Sequence, residues 1–196
     1  AKALGTENLL VVPGAVTIPW LPGTEPVAND VCLRRAKEGI RKVLPEAEKA
    51  GIYLNMENIF ANGFLFSPQE INDFVDSFDS EYVQVHFDTG NIMEYQFPEH
   101  WVRQLGKRTK NIHLKEFNRR GGEFNLEAFR PLLDGTTNWP AVLADLDTVG
   151  DRGYLPFEHF HRLSPWPDAR LSLPSHPTAL PLGRTAHDHP IRCPAR

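Results

Sequence analysis

Short apolar runs that end in or near a carboxylate or an imidazole recur along this chain, and helix-patterned stretches separate them. The runs are Gly51-Ile-Tyr-Leu-Asn-Met-Glu57, Val83-Gln-Val-His-Phe-Asp88, Asn111-Ile-His-Leu-Lys115 with His113 inside it, and Gly153-Tyr-Leu-Pro-Phe-Glu158. Each has the length and apolar character of a buried strand. An earlier run, Leu9-Leu-Val-Val-Pro-Gly14, reads the same way and ends in a turn. The first helix is capped by Asn29 or Asp30, repeats Ala36, Ile40, Val43 and Ala47 at helical spacing, bends at Pro45 and closes at Gly51. A second begins near Ser67 with Ile71, Phe74, Val75 and Phe78 as its core stripe; a third covers about Pro98 to Leu105. The last runs from Trp139 to Val149 behind Asn138 as its cap. The order β-α-β-α-β-α-β-α-β implies a parallel sheet with helical crossovers.

Spacing narrows the fold. Glu57, Asp88, His113 and Glu158 are separated by 31, 25 and 45 residues. A (β/α)₈ barrel of about 250 residues has units of roughly 30, so the first two intervals each span one unit. The third carries an insertion, Phe117 to Thr137, directly after the His113 strand and therefore on the face where such barrels place their active sites. The expected fold class is α/β, a partial (β/α)₈ barrel over residues 1–160. Five strands cannot close a barrel that needs eight. Open edges, and an apolar interior without its opposite wall, predict association between copies of the chain. From residue 161 onward the composition changes: the segment 161–196 holds seven of the 17 prolines and four of the eight histidines, with no Glu or Lys. An irregular Pro/His/Arg-rich tail is expected there.

Composition excludes several classes of function. A net charge of −4 argues against general nucleic-acid affinity, which relies on Lys and Arg neutralising phosphates. The two cysteines, Cys32 and Cys193, offer no disulfide framework and no thiolate-based zinc site. No apolar run approaches the roughly 20 residues that span a bilayer, and no secretory signal is present, so a cytoplasmic setting is expected. The chain opens with Ala1 and its first apolar run follows almost at once, which suggests a missing front end.

Three carboxylates and one imidazole at successive strand ends form an oxygen-rich set suited to a divalent ion. Mn²⁺ is the first expectation, with Mg²⁺, Co²⁺ or Zn²⁺ as alternatives. Such an ion can hold the carbonyl and adjacent hydroxyl of a sugar and stabilise a developing enediolate. Glu57 and Glu158 on opposite sides of that substrate would remove and return a proton. Arg119, six residues after His113 and in the insertion, is placed to contact a substrate oxygen. Lys115 follows His113 by two and points to the same side of the strand. His86 precedes Asp88 by two and is read as interior packing, Phe60, Phe64 and Phe66 as helix packing, and His159 and His161 as outward or tail residues.

The segments Met56-Glu-Asn-Ile-Phe60, Phe87-Asp-Thr-Gly-Asn91, Ile112-His-Leu-Lys-Glu-Phe117, Asn138-Trp-Pro-Ala-Val142 and Phe157-Glu158 resemble the xylose isomerase-like TIM-barrel superfamily, in particular its sugar phosphate isomerases and epimerases. The resemblance covers about Leu4 to Phe160. It implies that Glu57, Asp88, His113 and Glu158 bind the metal, that the two glutamates are the acid/base pair, and that Arg119 contacts a substrate oxygen. Asn91 stands where several ketose 3-epimerases carry a histidine and, with Lys115, is expected to contact the substrate beside Arg119. The resemblance also makes Leu9–Gly14 the fourth barrel strand, so the chain is expected to be a fragment covering about strands 4–8. Inosose dehydratases and hydroxypyruvate isomerases of the superfamily use nearly the same ligands, and a non-catalytic barrel remnant is the reading from outside the enzymes. An apurinic endonuclease would need more strand-end histidines and a basic DNA-facing surface than this chain has.

Overall fold

A computed structural model describes residues 1–18, 21, 23–60, 63–120, 126–150, 154–158 and 180–181. The expected irregular tail and His159 and His161 lie outside the described residues, apart from the backbone of 180–181. Four strands, β1 (Asn8–Val11), β2 (Tyr53–Glu57), β3 (Val83–Asp88) and β4 (Thr109–His113), form one parallel sheet in the order β1-β2-β3-β4. The crossovers are helices α1 (Asn29–Ala50), α2 (Pro68–Asp76) and α3 (Pro98–Leu105); α4 (Trp139–Val149) leads to the next strand position. The protein is thus α/β, with a curled, partial TIM-barrel sheet.

Beside β4, the fifth expected strand is only partly formed. β7 (Tyr154–Leu155) is two residues long. Beyond it, Leu114 N–H donates to the Pro156 carbonyl at 2.9 Å and Glu158 N–H donates to the Leu114 carbonyl at 3.0 Å. Pro156 interrupts the run because it has no N–H for a ladder, and Tyr154 and Phe157 are exposed rather than buried. The inserted segment folds back as a small antiparallel pair, β5 (Glu116–Phe117) with β6 (Phe129–Arg130). The backbone of β8 (Leu180–Pro181) pairs antiparallel with β7.

Side-chain alternation sorts the sheet into two faces. Leu54, Met56, Val83, Val85, Phe87 and Ile112 face the helices and are fully or almost fully buried. Phe87 stacks on Trp101 of α3, with ring centroids 5.7 Å apart. The concave face instead carries Asn55, Glu57, His86, Asp88, Asn111 and His113. This corrects the expectation of an apolar barrel interior: the core lies between sheet and helices, and the inner face is polar. The β3–β4 ladder contains one irregularity. Val85 pairs with Thr109 but His86 pairs with Asn111, so Lys110 is an extra residue in β4.

Local details differ from the expected ones in three places. The residue preceding α1 is Ala28, without a side-chain cap, while Asp30 lies in the first turn, where its charge complements the helix dipole. The helix runs through Pro45. Its buried stripe is Cys32, Ala36, Ile40, Leu44 and Ala47; Val43, 50% exposed, sits outside it. Phe66 is exposed as well, whereas Phe64 is buried and Phe60 packs edge-on against Phe129. β1 is an edge rather than a buried strand: Leu9 and Leu10 are 40% and 43% exposed, because among the described residues β1 has a sheet neighbour on one side only.

An apolar, unpaired parallel edge invites pairing with another chain. Sedimentation velocity is expected to show concentration-dependent association that Leu10→Lys reduces. A monodisperse monomer of the unaltered chain across the micromolar range would contradict this.

Candidate metal centre

Glu57, Asp88 and His113 are the last residues of β2, β3 and β4, and Glu158 follows β7. The parallel arrangement therefore delivers all four to the C-terminal end of the sheet. One ligand atom from each lies within 4.8 Å of the others. His113 Nδ1 stands 3.0 Å from Glu158 Oε2, 3.5 Å from Glu57 Oε1 and 3.9 Å from Asp88 Oδ2. Among the described residues, buried His113 Nδ1 and Asp88 Oδ2 make no well-aligned hydrogen bond, their nearest charged neighbours being Glu158 Oε2 and Lys115 Nζ. Leaving such atoms bare is costly. A divalent cation between them would meet every one of these needs, so the donor set fits a metal.

A second layer of hydrogen bonds fixes these side chains. Asp88 Oδ1 accepts the backbone N–H groups of Gly90 and Asn91 at 2.9 and 2.8 Å, which turns Oδ2 toward the centre. Asn58 clamps β2 to β3: its amide donates to the Asp88 carbonyl at 2.8 Å and accepts the Asp88 N–H at 2.9 Å. The Asn91 amide donates to the Asn58 carbonyl at 2.9 Å and accepts from Lys115 Nζ at the same distance. Lys115 is buried, its ammonium 3.1 Å from Glu158 Oε1 and 3.5 Å from Asp88 Oδ2. Gly90 permits this approach, since a Cβ there would sit 2.8 Å from Lys115 Cγ.

Charge follows from this packing. Burial raises the Asp88 carboxyl to about 7, with Glu158 and Glu57 adding to the rise and Lys115 opposing it. Burial would lower His113, but Glu158, Glu57 and Asp88 outweigh it and lift the imidazole to about 9. Contact with His113 draws Glu158 down to about 2 against its own burial, with Lys115 helping. Without a metal, the cluster holds its positive charge as a proton on His113.

Arg119 lies elsewhere on this end of the sheet. Its guanidinium donates to the Gln96 carbonyl at 3.2 Å and covers the Phe97 ring at 4.4 Å. Of the other expected substrate contacts, Asn91 and Lys115 are both buried and engaged with the ligand carboxylates or their supports.

The sequence of the family described as xylose isomerase-like TIM barrel matches residues 1–176. The chain belongs to that family. Solved structures similar to it include an L-ribulose 3-epimerase (TM-score 0.63, 20% identity, covering 82% of this chain and 50% of that one). A D-psicose 3-epimerase from Clostridium cellulolyticum H10 with D-tagatose gives 0.62 at 24% identity, covering 74% and 47%. An IOLI protein with a bound zinc atom gives 0.68 at 15% identity, covering 82% and 56%. At these identities the likeness establishes the fold alone. The chain spans about half the length of these structures. A search of curated proteins finds no match.

Three site features escaped the sequence reading. Asn58 follows Glu57 directly, but its clamp on Asp88 depends on strand register. His86, read as packing, has its ring centroid 4.1 Å from that of His113. Glu116 is buried and anchors the inserted segment: its carboxylate accepts from the N–H groups of Phe117, Leu133 and Thr137, each at 3.1 Å, from the Thr137 hydroxyl, and from Trp139 Nε1 at 2.6 Å. Its place three residues after His113 was the available signal.

Glu116→Gln replaces an acceptor by an amide N–H that faces these donors. The variant is expected to lose about 1–3 kcal/mol in urea unfolding, with Trp139 fluorescence following the same transition. An unchanged midpoint would show that the anchor does not contribute.

Proposed function

We propose that the chain carries the metal and acid/base half of a divalent-metal-dependent sugar or sugar-phosphate isomerase/epimerase. The observation that supports this reading most is the convergence of Glu57, Asp88, His113 and Glu158 within 4.8 Å of one another. These four residues would hold the ion, Mn²⁺ being the best match to three oxygens and one nitrogen. When bound, the ion supplies Lewis-acid charge that acidifies the proton next to a sugar carbonyl.

Glu57 and Glu158 then divide the proton traffic. One carboxylate takes the proton from the carbon beside the carbonyl, leaving an enediolate, and the other delivers a proton to the opposite face. One proton is removed and one returned, so no oxidant or reductant is needed. Lys115 keeps Glu158 charged and oriented, and Asn91 holds Lys115 in place. Arg119 supplies the contact to a substrate oxygen from the rim. Related readings, a dehydratase of inosose type or a hydroxypyruvate isomerase, would use the same ligands on a different substrate. In this proposal residues 1–160 are the barrel unit and 161–196 an appended tail. The setting is cytoplasmic; no helix among the described residues is long and apolar enough to cross a membrane.

Two measurements test the reading. Mn²⁺ titration should give micromolar affinity that rises about tenfold per pH unit between pH 7.5 and 8.5, because Asp88 has by then lost its proton and ligation still requires His113 to lose the one it holds up to about 9. Flat pH dependence, or no binding, would point to a non-catalytic barrel. In a chain that turns over a ketose, Glu158→Gln should reduce solvent exchange of the substrate's α-proton by at least about a hundredfold. Exchange at the parental rate with metal still bound would remove Glu158 from the acid/base pair.

A further inference from the structure

His86 occupies the layer of the concave face directly beneath Asp88. Ladder register sets it beside Glu57 on one side and Asn111 on the other. It is 1% exposed, and among the described residues its Nε2 has no hydrogen-bond partner. Its ligand atom lies within 4.8 Å of those of Glu57 and His113, which makes a second group of metal-binding type within the same cluster. The two groups share Glu57 and His113 but differ in chemistry. One adds the two carboxylates Asp88 and Glu158; the other adds a single imidazole.

Donor chemistry separates the ions that such groups prefer. Two imidazoles and one carboxylate are a common zinc set, with a further position left open. Oxygen-dominated sets suit Mn²⁺ and Mg²⁺. A ligating imidazole also needs its other ring nitrogen held. Asn111 is in place for this, its amide 3.1 Å from His86 Nδ1. Because an amide offers N–H on one side and a carbonyl on the other, reversing it lets Asn111 accept from Nδ1–H and leaves Nε2 free to ligate.

We propose that His86, with Glu57 and His113, forms a nitrogen-rich alternative ligand set that takes Zn²⁺ in preference to the ion held by the four strand-end residues. The inference rests on the reading of the cluster as a metal centre. Because Glu57 and His113 serve both sets, occupation is exclusive: zinc held by His86 leaves Asp88 and Glu158 without a shared ion. His86 is then a metal-selecting residue rather than packing.

The test uses the whole chain, with Zn²⁺ and Mn²⁺ affinities measured separately by competition against a chromophoric chelator. The unaltered protein is compared with His86→Leu and His86→Asn. Zinc affinity should fall by about tenfold or more in both variants, while Mn²⁺ affinity stays within about threefold and so reports an intact fold. X-ray absorption of the zinc-loaded unaltered protein should show two nitrogen ligands, and one in each variant that binds zinc. Zinc affinity unchanged in the variants, zinc and manganese affinities falling together, or a single nitrogen in the unaltered protein would each overturn the proposal. Failure of the underlying reading looks different: the unaltered chain would then bind neither ion.

Discussion

Three carboxylates and a lysine are packed around one imidazole, with Asp88 and Lys115 closed off from solvent and Glu158 one-third exposed, and a positive charge at the centre offsets the repulsion among them. The charge count shows why. Ionised Glu57, Asp88 and Glu158 bring three negative charges and Lys115 returns one positive charge. Of the two negative charges that remain, a proton on His113 offsets one and a divalent ion offsets both. Like charges in a low-dielectric setting repel strongly, so the cluster holds together through its occupant as much as through its backbone. The surrounding hydrogen bonds from Asn58, Gly90, Asn91 and Thr89 then read as restraints on a site under electrostatic load. Thr89 belongs with these because its hydroxyl bonds both to the Lys115 carbonyl and to the Lys115 N–H.

Much of this was legible in the sequence, because the informative signals were periodic. Helical stripes and short apolar runs report burial on one side, and a parallel sheet brings the ends of successive strands together without further instruction. Hence β2, β3 and β4 and their terminal residues could be read directly. The apolar-interior expectation failed for a reason visible in the same runs. In Val83-Gln-Val-His-Phe-Asp88 the alternation itself separates Val83, Val85 and Phe87 from Gln84, His86 and Asp88, but the run as a whole looks continuous and apolar. Its polar half is only three residues, Gln84, His86 and Asp88, too short for alternation to stand out.

What resisted reading was contact between residues distant in sequence. The Asn58 clamp on Asp88, the Glu116 anchor for residues 133–139 and the Lys115 bridge to Glu158 each depend on which strands lie side by side and on side-chain reach. None has a local period. β1 misled for a related reason: Leu9 to Val12 has the composition of a buried strand, yet burial is granted by neighbours, and among the described residues β1 pairs with β2 alone.

The single extra residue in β4 has a further consequence. Thr109 is aligned with Val85, which faces the helices, whereas Asn111 is aligned with His86, which faces inward. Without the irregularity at Lys110, alternation would carry Asn111 and His113 onto the helix side along with Thr109. The parity of one strand therefore decides whether the cluster has its imidazole at all. Chemistry and stability are written on opposite faces of the same strands, and Lys110 is the stitch at which β4 changes from one to the other. Substitutions on either face can accumulate separately, but straightening β4 with Lys110 kept in the ladder would exchange the two faces of everything after it in β4.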